Sequence, residues 1–156
     1  MSLNKIIIIF IVILIAFAAV IFFQFSRAGV PTSKATIGEH TFLVSVARTP
    51  EELQKGLSER NSIPQDQGML FLFEQPGDQT FWMKGMKVPI DIIFINNDRI
   101  VSIAKNAQPV EDENANLPLY SSAQPSDKVL EINAGLSDKH GFKVGDQVKI
   151  ELEPNR

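Results

Sequence analysis

The sequence predicts a mainly β domain, a compact antiparallel sandwich or small barrel with one or two short helices, preceded by one N-terminal transmembrane helix. Three observations carry that prediction. An unbroken apolar run lies near the amino terminus, short strand patterns follow at close spacing, and a single strong helix start stands among them.

The apolar run, residues 6–23 (IIIIFIVILIAFAAVIFF), is 18 residues long and has no polar face. At about 1.5 Å rise per residue it matches one bilayer core, and it predicts an anchor over residues 1–25. The alternative is a cleaved signal peptide, because Ser26-Arg27-Ala28 resembles a small-x-small cleavage box. Against that, the apolar region of such a peptide runs only about 7–15 residues. Lys5 precedes the run while Arg27 and Lys34 follow it, so the positive-inside comparison is nearly balanced. The leading tail is short enough to stay in the cytoplasm, and either reading then exports the rest of the chain.

Composition bounds the chemistry. The chain has no cysteine, which removes a lipid-modified amino terminus, a thiol nucleophile and a thiolate metal site. Of 15 Lys and Arg only Lys5 and Arg27 precede residue 28, and all 18 Asp and Glu follow it, so the exported part carries −5. That balance disfavours a nucleic-acid partner, whose phosphates need a basic surface, and broad adhesion to anionic lipid.

Residues 26–34 are small, polar and broken by Gly29 and Pro31, and they read as a tether to a domain spanning 35–153, with a short tail at 154–156. Residues 35–47 predict a hairpin turning at Gly38-Glu39. Thr49-Pro50-Glu51-Glu52 is the helix start: Thr49 caps, Pro50 suits the first helical position, and Glu52 completes a capping box. Gly56 ends or bends that helix. The segments GMLFLF (68–73) and QTFWMK (79–84) flank EQPGD and predict a second hairpin. A third is predicted where IDIIFI (90–95) and RIVSIA (99–104) flank Asn96-Asn97-Asp98. VLEIN (129–133) and QVKIEL (147–152) supply the last strands, the latter with Val148, Ile150 and Leu152 inward and Lys149 and Glu151 outward. Residues 105–128, with three prolines and no clear period, predict a long irregular loop.

Five blocks stand in order along the chain: GMLFLF at 68–73, FWMK at 81–84, PIDIIFIN at 89–96, VLEINAG at 129–135 and GFKVGDQV at 141–148. Together they resemble the domain of unknown function 192 family (uncharacterised protein family 0127), over roughly residues 35–153. The resemblance implies a small, mainly β domain, often exported or membrane-tethered in bacteria and archaea, and it implies no reaction or ligand. This chain departs from the family where W-M-K commonly continues as Asn-Thr, since it has Gly85 and Met86 there.

The stretch 80–94 (TFWMKGMKVPIDIIF) concentrates the candidate site residues. Strand alternation sends Phe81 and Met83 to the core and Trp82 and Lys84 to the other face. Asp91 interrupts an apolar strand on the face of Ile93 and Ile95, so it must lie at the strand's mouth, be paired as an ion pair or with the turn's N–H groups, or be shifted in pKa. Two readings follow for it: a structural carboxylate pinning the turn, or a pocket acid or base with Lys84 as an anion-binding partner. Tyr120, in the long loop, either covers such a pocket or anchors the loop. The expected ligand-binding set is therefore Trp82, Lys84, Asp91 and Tyr120, in a module that binds a small ligand or an extracytoplasmic protein without a cofactor.

Two alternatives belong to other classes. A Cu(I) site could draw on Met69, Met83 and Met86 with Trp82 or His40, although adjacent Trp82 and Met83 point to opposite strand faces. An enzyme would use Asp91, but no elbow, phosphate loop or His metal spacing accompanies it. The acidic run Glu111-Asp112-Glu113 lacks the spacing of a calcium loop and reads as a solvated surface.

Overall fold

The computed structural model describes residues 33–110 and 117–153, together with Leu14. Apart from Leu14, the anchor expected over 1–25 lies outside the described residues, as do most of the tether, the acidic run and the 154–156 tail. Among the described residues no helix is long and apolar enough to cross a membrane. The unit considered below is Pro31–Arg156.

Its elements are β1 (Ser33–Ile37), β2 (His40–Ala47), α1 (Pro50–Lys55), β3 (Gln67–Gly77), β4 (Thr80–Trp82), β5 (Ile90–Asn96), β6 (Arg99–Ala107), β7 (Leu119–Ser121), β8 (Ser126–Asn133), α2 (Leu136–Lys139) and β9 (Val148–Glu151). Seven strands form one sheet in the order β6-β5-β8-β3-β2-β1-β9, and β4 pairs with β7 in a separate two-stranded ribbon. The sheet curls into a half-barrel. Its two edges meet at one end, where Ile100 N–H donates to the Asp146 carbonyl (3.0 Å) and Val148 N–H to that of Asp98 (2.9 Å).

The local signals give the local structure. β1 and β2 turn at Gly38-Glu39, with Ile37 opposite His40. β5 and β6 turn at Asn97 and Asp98, both at positive φ, the geometry that matches a two-residue turn to strand twist. At α1 the Thr49 side chain accepts from Glu52 N–H (3.3 Å), while the Glu52 carboxylate accepts from Thr49 N–H (3.1 Å). The Arg48 N–H also donates to that carboxylate (2.9 Å), and it, followed by the Thr49 N–H, holds the Glu52 carboxyl below its ordinary range. Gly56 closes the helix at φ +50°.

Three expectations are corrected. The sheet is mixed rather than antiparallel, because β2 and β3 run parallel, Val44 facing Gly68 and Val46 facing Leu70. The physical reason is α1: residues 48–66 carry the chain back along the sheet, and a crossover of that kind joins parallel strands. The hairpin expected between GMLFLF and QTFWMK does not form. β3 has β2 on one edge and β8 on the other, so β4 has no free edge there and pairs with β7 instead. Nor is 105–128 a single loop, since β6 continues to Ala107 and β7 and the start of β8 also lie within it.

Both faces of the central strands are buried, and alternation sorts their residues into two apolar clusters. Leu70, Ile93, Leu130 and Ile132 point into the half-barrel with Phe42, Val44, Phe142 and Val148. Met69, Phe71, Ile92, Phe94 and Val129 point the other way, under Leu57, Met83 and Met86. β3 and β8 pack so closely that a Cβ on Gly68 would lie 2.3 Å from the Glu131 carbonyl oxygen. Gly68→Ala must therefore part the two strands, at an expected cost of about 2–3 kcal/mol, read as a lowered chemical denaturation midpoint.

Candidate functional site

The return of β8 beneath α1 builds a pocket of about 290 Å³ on the outward face of the sheet. One wall is the end of α1 and its following turn, from Leu53 to Ser58. The other is aromatic, formed by Phe71, Phe73, Phe81 and Trp82, with Met86 beside them. Phe81 meets Phe71 edge to face, with centroids 5.0 Å apart, and Phe94 at 6.0 Å, which fixes the wall it shares with Trp82.

Glu131 forms part of the pocket lining. In β8 it stands opposite Met69 on one side and Ile92 on the other, so its side chain leaves the sheet among apolar neighbours. The residue is 5% exposed, and its Oε2 has no hydrogen-bond partner among the described residues. Desolvation pushes its carboxyl up to about 8, so at neutral pH it is largely protonated. Half-buried Asp127, whose Oδ1 also lacks a partner among the described residues, differs because its other carboxylate oxygen meets Lys128 at 3.0 Å. Gly56 keeps the approach open: a Cβ there would sit 3.3 Å from Phe71 Cζ and 3.9 Å from Glu131 Oε2.

The sequence-predicted residues divide. Trp82, 49% exposed, and Lys84, exposed, line this pocket together. Tyr120 is not among the lining residues; it stands opposite Phe81 across the β4–β7 ribbon and packs, half-buried, against the outward core cluster. Asp91 lies elsewhere, fully buried at the end of the half-barrel interior, on the face of the sheet opposite to Glu131. Its Oδ1 accepts from Asn106 N–H (2.8 Å) and Gly135 N–H (3.1 Å), and its Oδ2 from Ser137 N–H (2.8 Å). Asn106, at positive φ, sits where the β5–β6 register slips, and Gly135 is the cap of α2 with no side-chain cap of its own. One carboxylate thus satisfies the bulge and the helix start together.

The residues weighed for copper are also placed. Met69, Met83 and Met86 are buried in the outward cluster. His40 instead stacks on His140, ring centroids 3.6 Å apart, at a separate surface hollow. Burial first, then His40 and Lys139, hold the His140 imidazole below its ordinary range. Among the described residues no group of three His, Asp or Glu is arranged to hold a metal.

Among the pocket residues, sequence reasoning did not single out Glu131, and it marked Gly56 only as the end of a helix. VLEIN reads as a strand, and nothing within its five residues records the burial of its glutamate. The available signal was the neighbouring runs GMLFLF and IDIIFI, whose continuous apolar character marks a sheet covered on both faces.

Comparison with known proteins agrees with this architecture. The family model of DUF192, described as uncharacterized ACR, matches residues 32–150. No curated protein matches the chain. A crystal structure of a protein of unknown function from Novosphingobium aromaticivorans DSM 12444 is similar at 39% identity and a TM-score of 0.67, covering 75% of this chain and 82% of that one. A Sinorhizobium meliloti 1021 protein, proposed as a transcription regulator, is similar at 31% identity and a TM-score of 0.67, covering 76% and 91% respectively.

Proposed function

The chain belongs to the DUF192 family, and for this member we propose a small-ligand-binding module whose site is the pocket between α1 and the β4–β7 ribbon. The observation that carries this reading is the unpartnered carboxyl of Glu131 in an aromatic pocket. A buried polar group without a partner costs about 1–3 kcal/mol, so a strand position that any apolar residue could fill holds it at a loss to folding. Pockets with apolar walls and one or two placed polar groups are the ordinary form of small-molecule sites. The apolar run at 6–23 supports presentation of this module outside the cytoplasm, on a membrane anchor. A nucleic-acid role is disfavoured by the acidic balance of the domain.

Trp82 is the sole tryptophan of the chain and lines the pocket, so its fluorescence reports on that site alone. Full-length protein in detergent micelles is expected to show saturable shifts of that emission with members of a small-fragment collection. Native mass spectrometry of protein drawn from its own membrane is expected to show a small-molecule adduct. Silence in both measurements would remove the reading.

A further inference from the structure

We propose that the pocket takes a small zwitterion, an amino-acid-like molecule whose ammonium group meets Glu131 while its carboxylate faces Lys84. This rests on the pocket being the ligand site. Charge in the pocket is ordered from inside to outside. The carboxyl of Glu131 is buried, Phe71, Phe73, Phe81 and Met86 make apolar walls, and lysines stand exposed at the mouth. Lys55 is 3.8 Å from Glu59, whereas Lys84 has no ion pair among the described residues.

That order selects among ligand charges. A simple cation can meet Glu131 but is disfavoured by Lys84 at the mouth. A simple anion is drawn to Lys84 but brings nothing that lets the buried carboxyl ionise. A dipolar molecule answers both groups, and the aromatic walls favour an ammonium near their faces. The volume, about 290 Å³, lies at the lower end of ligand pockets and fits a single amino acid rather than a peptide.

The binding event then has a signature. Glu131 is largely protonated at pH 7, and an ammonium group favours the carboxylate, so binding releases a proton to the buffer.

A matched set of probes tests this: L-leucine, isoamylamine, which lacks its carboxylate, and 4-methylpentanoate, which lacks its amine. Each is titrated into the full chain in micelles, by Trp82 emission and by calorimetry in buffers of different ionisation heat. Leucine is expected to bind at least about tenfold more tightly than either analogue, with proton release for leucine and isoamylamine only. Glu131→Gln is expected to weaken leucine to the level of 4-methylpentanoate, and Lys84→Met to weaken it to the level of isoamylamine. Because Glu131→Gln removes the cost of keeping an ionisable group protonated, the variant is expected to stay folded, and its denaturation midpoint separates lost binding from lost folding. Equal binding of all three probes, or leucine affinity unchanged in Glu131→Gln, overturns the zwitterion and leaves the pocket as a ligand site. Failure of all three probes while other fragments shift Trp82 has the same meaning. Failure of every fragment, with no native adduct, removes both readings.

Discussion

Asp91→Ala is expected to destabilise the domain by about 4 kcal/mol, measured as the shift in chemical denaturation of the full chain. The change strands three backbone donors at once, those of Asn106 and Gly135, which are part-buried, and of Ser137, which is buried. Hydrogen bonds to a charged acceptor contribute about 1.5–3 kcal/mol each, and alanine offers no replacement for any of them. Asp91→Asn is expected to cost about half as much. Its amide oxygen can still serve Asn106 and Gly135, but its NH₂ would point at the Ser137 N–H, donor against donor. The two variants thus separate a structural carboxylate from a reactive one. A loss below about 1 kcal/mol in the alanine variant would mean that the bulge and α2 are held by something other than Asp91.

Glu131→Gln is expected to stabilise the protein, by an amount that grows with pH. The carboxyl titrates at about 8 in the folded chain, against an ordinary value of 4.5. A pKa raised by folding gives stability that is fully present below pH 4.5 and is lost as pH climbs through about 8. Between those limits the unfolded chain ionises while the folded one must keep its proton. The slope is about 1.4 kcal/mol per pH unit. Glutamine removes the titration, so the gain over wild type should be near zero at pH 4.5, about 3 kcal/mol at pH 7 and about 5 kcal/mol above pH 8. Denaturation of both proteins at pH 5, 7 and 8.5 measures it. Parallel pH profiles for the two proteins would place Glu131 in contact with water and end the description of it as a buried acid.

What was legible in the sequence was what its neighbours along the chain decide. Thr49 and Glu52 cap each other within one turn of helix, and Asn97-Asp98 makes its turn from its own backbone preferences. The strand pairings that failed depend on which edge remains free once the others are taken. Nothing between residues 68 and 84 records that β8, some fifty residues later, occupies the edge that a hairpin would need. The site divides in the same way. Alternation along β4 separates Trp82 from Met83, and Trp82 and Lys84 do share a pocket wall. A carboxylate capping backbone N–H groups was among the readings of Asp91, but its three donors come from a bulge in β6 and the start of α2, which no local pattern joins. Glu131 was hidden because its burial belongs to what lies above it, namely Leu57, Met86 and the turn at Gly56, rather than to the alternation within its own strand.

The parallel join of β2 to β3 has a consequence for the order in which the molecule can be made. A hairpin can close as soon as its turn forms, but two strands running the same way must wait until the chain between them has doubled back. Here the chain that doubles back, residues 48–66, is also the segment that roofs the pocket, while β8, which supplies Glu131, joins β3 from far along the sequence. The cavity therefore needs both the 48–66 crossover and the distant β8 in place, and neither segment alone outlines it.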